Sequence, residues 1–300
     1  MTSYRVTGTK FALAIAALLG AAAPLPLLAR EAPSVAVGPQ YDTTHVYVAP
    51  SDVDAFVAAF TATFGGASTK QGIATVTPTP SSTSTQLVQT PVGTVSLFGF
   101  RTPIPWPFGA ERTGWLVTDM DEAIRQARAA GADVIVSTFP DPIGRDAVIQ
   151  WPGGVIMQLY WHNTKPSYAL LATVPENRVY MSADKADEFV RHFSTFAHAR
   201  LLSDERNAPG IEIGRPGHHF RRIRLESTFG KLTLLVTDGH LPWPYGREMT
   251  GYEVPDLDAT LAKAKAAGVE ILVPPFESAG RKSAMVSFPG GYVAEVHSGS

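Results

Sequence analysis

One stretch occurs twice in this chain, and it limits what the chain can fold into. Residues 105–121 read PWPFGAERTGWLVTDMD, and residues 242–258 read PWPYGREMTGYEVPDLD. Both copies continue alike. An amphipathic helix ends in Ala-Gly (Gly131, Gly268), a Pro-Gly-Gly turn follows (Pro152, Pro289), and a strand closes the unit. The spacing is constant, so the chain is internally duplicated. A period of roughly 130–140 residues is too long for a solenoid or propeller repeat and is the size of a domain. Two similar domains in tandem are expected, and 300 residues with an apolar fraction of 45% can supply both with cores.

The rest of the composition narrows the function classes. A net charge of −2 offers no basic surface for nucleic acid. Residues 1–29 read as a secretory signal. Arg5 and Lys10 supply positive charge, Phe11 to Ala23 is an acid-free apolar run, and Ala29 is a small residue at a plausible cleavage point. The run is too short to span a bilayer comfortably. A periplasmic or secreted protein without stable membrane insertion is expected, with an uncleaved anchor as the alternative. The absence of cysteine agrees with an exported protein that avoids disulfides. Residues 30–42 form a tether without periodicity.

In the first domain, His45 to Ala49 is β-rich, and Ser51 is expected to cap a helix with Asp54 at its third position. Residues 67–85, rich in Thr, Ser and Pro, suggest short strands or a loop over a site. Strands are expected at Gln86–Gln89, Thr94–Phe100 and Thr113–Val117. A helix capped by Asp119 follows, then strands at Val134–Ser137, Ala147–Trp151 and Val155–His162. The second domain runs in the same order from Val179–Met181 through a helix capped by Asp184 to Tyr292–His297.

A βαβββ module used four times, with an Ala-Gly helix end and a Pro-Gly-Gly turn before the last strand, resembles the vicinal oxygen chelate superfamily. That group includes glyoxalase I, bleomycin- and fosfomycin-resistance proteins and extradiol dioxygenases. The resemblance covers residues 43 to 298. It implies an α+β fold of two tandem domains, residues 43–165 and 175–298. Each would be a pair of βαβββ modules forming a concave mixed β half-barrel with its helices outside.

The resemblance also implies a metal position inside each cup, built from the first, fifth and last strands. Carried onto this sequence, those positions fall at His45, Arg112 and Gln158 in domain 1, and at Arg178, Met249 and Glu295 in domain 2. Alternation along the strands adds Tyr47 and Tyr160 to the first cup, and Tyr180, Glu253 and His297 to the second. Arginine has no lone pair to offer and is always charged, so Arg112 would repel a cation. Arg178 and Glu295 would neutralise each other as an ion pair. Neither cup therefore carries the complete ligand set. His45 and Gln158 remain the metal and catalytic candidates, for one divalent ion such as Zn, Ni, Fe or Mn. His45 would serve as general base if no metal binds.

Three further features stand out. Gly144-Arg145 and Gly280-Arg281 recur before the penultimate strand, and either arginine could fork onto a ligand carboxylate or phosphate. Trp106 and Trp243, stiffened by flanking prolines, fit a lid or a plug between modules. Arg221, Arg222 and Arg224 read as a solvated or domain-facing strand. Two functions follow. One is an exported glyoxalase-like enzyme acting on a small oxygenated molecule. The other is a metal-free small-molecule binding protein of the bleomycin-resistance type. Either would be a monomer or homodimer.

Overall fold

The computed structural model describes residues 1–3, 34–242 and 248–299. The apolar segment read as a signal, residues 30–33 of the tether, and Trp243 lie outside the described residues. Residues 33–300 form one compact unit.

The first half-barrel starts with β1 (Thr43–Tyr47) and α1 (Val53–Phe64), followed by β2 (Ala67–Ser68), β3 (Gly72–Ala74), β4 (Thr83–Thr90) and β5 (Gly93–Phe100). Its second module is β6 (Thr113–Leu116), α2 (Met120–Ala129), β7 (Asp133–Asp141), β8 (Gly144–Trp151) and β9 (Val155–His162). The strands form one mixed sheet in the order β2-β4-β5-β1-β6-β9-β8-β7, with β3 also paired to β4. β1 runs parallel to β5 and antiparallel to β6, and β6 is parallel to β9, so first strands meet at the middle of the curl.

The second half-barrel repeats this plan. It contains β10 (Glu176–Met181), α3 (Ala183–Ala197), β11 (Arg200–Pro209), β12 (His219–Ser227) and β13 (Gly230–Val236). Then come β14 (Glu248–Glu253), α4 (Leu257–Ala266), β15 (Glu270–Ser278), β16 (Arg281–Phe288) and β17 (Tyr292–Ser298), in the order β11-β12-β13-β10-β14-β17-β16-β15.

Helix ends follow local chemistry. Asp119 Oδ1 accepts from the Glu122 amide at 2.9 Å, and Asp256 Oδ1 from the Ala259 amide at 3.0 Å, which satisfies first-turn donors. Gly131 and Gly268 take φ of 88° and 81° just past the helix ends, where a side chain would strain the backbone. The first helix of each domain starts differently from its sequence reading. A short 3₁₀ turn at Pro50–Asp52 moves the start of α1 to Val53, with Asp52 rather than Ser51 at the cap. Ser182, not Asp184, precedes α3.

The helices lie on the convex side of each sheet, and the two convex sides share their cores. One buried cluster joins Met120, Ala123 and Ala127 of α2 to Phe189, Phe193 and Phe196 of α3, with Trp115, Trp151, Leu232 and Leu234. Another joins Phe56 and Phe60 of α1 to Leu257 and Leu261 of α4. Trp115 stacks on Phe229 with ring centroids 4.3 Å apart. The Pro-Gly-Gly turns serve this docking. A Cβ on Gly153 would stand 2.7 Å from Met181 Cε, and one on Gly290 would stand 2.7 Å from Val48 Cβ. Each turn therefore abuts the end of the other domain's first strand.

Candidate functional site

The concave faces are set by strand alternation. Met157 and Leu159 of β9 join the shared core, while Gln158, Tyr160 and His162 line a cavity in the first cup. Val46 of β1 and Val48 just beyond its end enter the core, and Thr43, His45 and Tyr47 face the cavity. The cavity measures about 250 Å³. Ala74 and Val76 reach it from the Thr/Ser/Pro-rich segment, as a loop over a site would.

His45 is 2% exposed, and its Nδ1 is buried without a hydrogen-bond partner. Its Nδ1 lies 3.8 Å from Glu111 Oε1, and Glu111 accepts a hydrogen bond from the Tyr47 hydroxyl. Its Nε2 faces the middle of the cup, where a Cβ on Gly114 would overlap it. Gln158 Nε2 donates to Asp146 Oδ2 at 2.9 Å, which leaves the amide oxygen as the free end of that side chain. Tyr160 donates its hydroxyl to the Tyr41 carbonyl at 2.5 Å. Burial, then the neighbouring Asp141, pushes the Asp146 carboxyl well above the usual carboxylate range. Burial, then Glu111, does the same to the Tyr47 hydroxyl.

Other expected site residues fall elsewhere. Arg112 turns out of the cavity, donating to the Gly109 carbonyl at 2.7 Å and lying 5.6 Å from the Tyr47 ring centroid. Arg145 stands over Trp161 at 5.2 Å and 3.6 Å from Asp121, on the opposite face of β8 from Asp146. Trp106 is 70% exposed, so it plugs nothing.

The fifth-strand position needs correcting. Thr43 pairs with Gly114 across β1 and β6, and Gly114 is the residue beside Gln158 on β9. The sequence held a signal for this: HVYVAPSD from His45 aligns with GWLVTDMD from Gly114. In domain 2 the matching residue is Gly251, beside Glu295. Met249 lies in an apolar cluster with Tyr180 instead.

The second cup is filled with charge. Arg178 donates to Glu176 at 3.0 Å, and Arg281 grips the same carboxylate at 3.1 and 3.2 Å. Glu295 pairs with His297 Nδ1 at 2.7 Å; Arg178 remains its strongest neutralising charge, as expected, while the hydrogen bonds run from Arg178 to Glu176 and between Glu295 and His297. Arg222 bonds to Glu212 and, at 2.8 Å, to Glu205. Arg222 is 1% exposed, which corrects its reading as a solvated strand residue: Ile223 and Leu225 take the core side and force Arg222 inward. Burial alone would raise the Glu176 carboxyl, but Arg178 and Arg281 outweigh it and hold it at about 2. The same opposition leaves Glu295 below its ordinary value. Burial pushes the Tyr180 hydroxyl up to about 12. About 10 Å³ of space remains between Arg178, Glu212, Arg222 and Arg281. Arg281 matches Gly144 in the sheet, not Arg145: each pairs with the end of the preceding strand, Ser278 or Asp141. The two Gly-Arg dipeptides are therefore not structural equivalents.

No protein-family model matches the sequence, and no curated protein matches it. Solved structures do. A mutant of 4-hydroxymandelate synthase from Streptomyces coelicolor superposes with a TM-score of 0.58 at 12% identity, covering 89% of this chain and 92% of that one. A 2,3-dioxygenase from Pseudomonas gives 0.54 at 12%, over 90% and 94% of the two chains. The fold is that of the vicinal oxygen chelate superfamily. A Mn(II)-bound glyoxalase from Novosphingobium aromaticivorans gives 0.53 at 14%, over 89% and 83%. At these identities the likeness concerns the fold, which hosts many chemistries, and the vicinal oxygen chelate label carries no reaction with it.

A divalent metal of the kind the fold's resemblance implies does not fit the donors present. Among the described residues no three His, Cys, Asp or Glu side chains converge. At the three positions the resemblance names, the first cup offers His45 Nε2, a neutral amide oxygen and glycine, and the cavity's carboxyls, Asp141 and Asp146, do not converge with His45 into a ligand set. The second offers Glu295, already bonded to His297, facing arginines. Two neutral donors, or one carboxylate amid guanidinium groups, do not make the anionic, converging set a hard or borderline cation needs.

Proposed function

We propose that this protein is a metal-independent small-molecule binder whose working site is the cup of domain 1, and that domain 2 is a structural companion. One observation carries this reading: two cups of the same fold differ in content. One holds a cavity of about 250 Å³ with a buried histidine whose Nδ1 lacks a hydrogen bond, and the other is closed by paired arginines and glutamates. A concave cavity walled by aromatic and aliphatic side chains, with polar groups converging on it, is the usual form of a small-molecule site.

A catalytic version of this reading is favoured by His45 alone. In the tautomer that directs the Nδ1 proton toward Glu111, Nε2 presents a lone pair to the cup, as a general base must. Gln158 would then orient the substrate through its free amide oxygen. Both cups are built within one chain, which supports a working monomer.

Elemental mass spectrometry of the purified protein, with thermal-shift screening of a small-molecule library, tests the proposal. We expect no stoichiometric metal, and stabilising ligands whose effect disappears in His45→Ala. About one Zn, Ni, Fe or Mn per chain, lost in His45→Ala, would overturn the metal-free reading. For location we propose export, supported by the residue pattern of positions 1–29. Amino-terminal sequencing of protein from the native host should begin near Arg30, and an intact Met1 would refute it.

A further inference from the structure

Beside the Thr43, Thr85 and Ser96 hydroxyls, which donate or accept, four groups that face the domain 1 cavity share one property. Asp141 and Asp146 present carboxyl oxygens. Gln158 has committed its amide hydrogens to Asp146 and presents oxygen. His45, with Nδ1 toward Glu111, presents the Nε2 lone pair. All of these accept hydrogen bonds. Among the described residues no lysine or arginine lines the cavity, and burial holds His162 below its ordinary value, so it adds no positive charge at neutral pH. Arg112 is turned away onto Gly109 and the Tyr47 ring.

The apolar walls fit the same occupant. Tyr47, Phe98, Phe108, Tyr160 and Tyr168 contribute aromatic rings, with Tyr47 and Phe98 stacked at 5.1 Å. Ring faces carry negative potential and attract cations, more strongly once water is displaced. Asp146 is 5% exposed and has no cationic partner, an arrangement whose cost an incoming positive charge would relieve.

We infer that the domain 1 cup takes an organic ammonium ion: a primary or secondary amine on an aromatic or compact apolar body, its N–H groups shared among Asp146, Asp141 and the Gln158 oxygen. This rests on the reading of that cup as the ligand site, and it names the class of ligand. The walls then hold the apolar body, and His45 Nε2 faces the atoms next to the nitrogen.

The test uses three probes of equal size and different charge, benzylammonium, benzyl alcohol and benzoate, titrated calorimetrically into the purified protein. Hydrogen bonds to charged groups lead us to expect benzylammonium to bind roughly ten- to a hundredfold tighter than benzyl alcohol, with benzoate weakest. Asp146→Asn keeps the shape and removes the charge. It should cut the ammonium preference roughly tenfold while leaving benzyl alcohol unchanged. Asp141→Asn, nearer the surface, provides the same comparison if Asp146→Asn fails to fold. Benzyl alcohol or benzoate binding as tightly as benzylammonium would overturn the ammonium inference and leave the cup as a binding site. An ammonium preference that survives both substitutions would also overturn it. Failure of all three probes at tens of millimolar would overturn the cup reading along with it.

Discussion

Arg178→Met tests whether the second cup is structural. Arg178 is 4% exposed and bonds to Glu176 at 3.0 Å, with Glu295 as its largest electrostatic neighbour. Its removal leaves Glu176 paired with Arg281 and Glu295 hydrogen-bonded to His297, each short of its strongest neutralising charge. Breaking a buried pair from one side typically costs about 3–5 kcal/mol. The depression of Glu176 from 4.5 to about 2 gives a similar scale, about 3 kcal/mol at neutral pH, shared between two arginines. At roughly 2–4 °C per kcal/mol for a chain of this size, the melting temperature should fall by roughly 6–20 °C at pH 7. The pH dependence follows from the sign. A carboxyl depressed in the folded state stabilises above its unfolded value and loses that contribution as pH falls from about 4.5 toward 2. The gap between wild type and variant should therefore narrow on acidification, read by calorimetry between pH 7 and pH 3. A loss under about 1 kcal/mol at pH 7 would refute the structural reading. So would an unchanged melting point together with lost binding of any cup ligand.

Gly114→Ala places a methyl onto His45 Nε2 and 2.9 Å from Tyr160 Cε1, so it should cost about 1–3 kcal/mol and abolish ligand binding in domain 1, seen by melting and titration. Asp146→Asn should melt higher than wild type at pH 8, because the folded state resists the charge there. The gain should vanish near pH 4, where the unfolded carboxyl is protonated too. Gly153→Ala and Gly290→Ala, at φ of 88° and 84° against the partner domain's first strand, should each destabilise by about 1–3 kcal/mol in urea titrations without changing the cup.

Much of the fold could be read from residues. The duplicated stretch, the caps at Asp119 and Asp256, and the Ala-Gly and Pro-Gly-Gly signals are local, so sequence carries them directly. β11 was not visible. Its residues RLLSDERNAP lack alternation because it is a largely exposed edge strand, held by its ladder to β12. His45, Tyr47, Gln158 and Tyr160 were found because period-two alternation assigns a strand's faces without knowledge of its partners. Glu111, Asp146, Glu176 and Glu212 were not, since each acts through a residue on another strand or turn.

The sequence by itself determined that the chain repeats, that each unit alternates a helix with strands, and which side chains of β1 and β9 share a face. Those properties depend on neighbours a few positions away. Tertiary structure alone decided that the helices of the two domains share their cores, that glycine occupies the middle of both cups, and that one cup is open while the other is sealed. Whether Arg178 meets Glu176 or Glu295, and whether Arg222 points to water or inward, depends on sheet curvature and cross-strand register. Charge in a closed space is decided by what converges there, and convergence is a property of the folded chain.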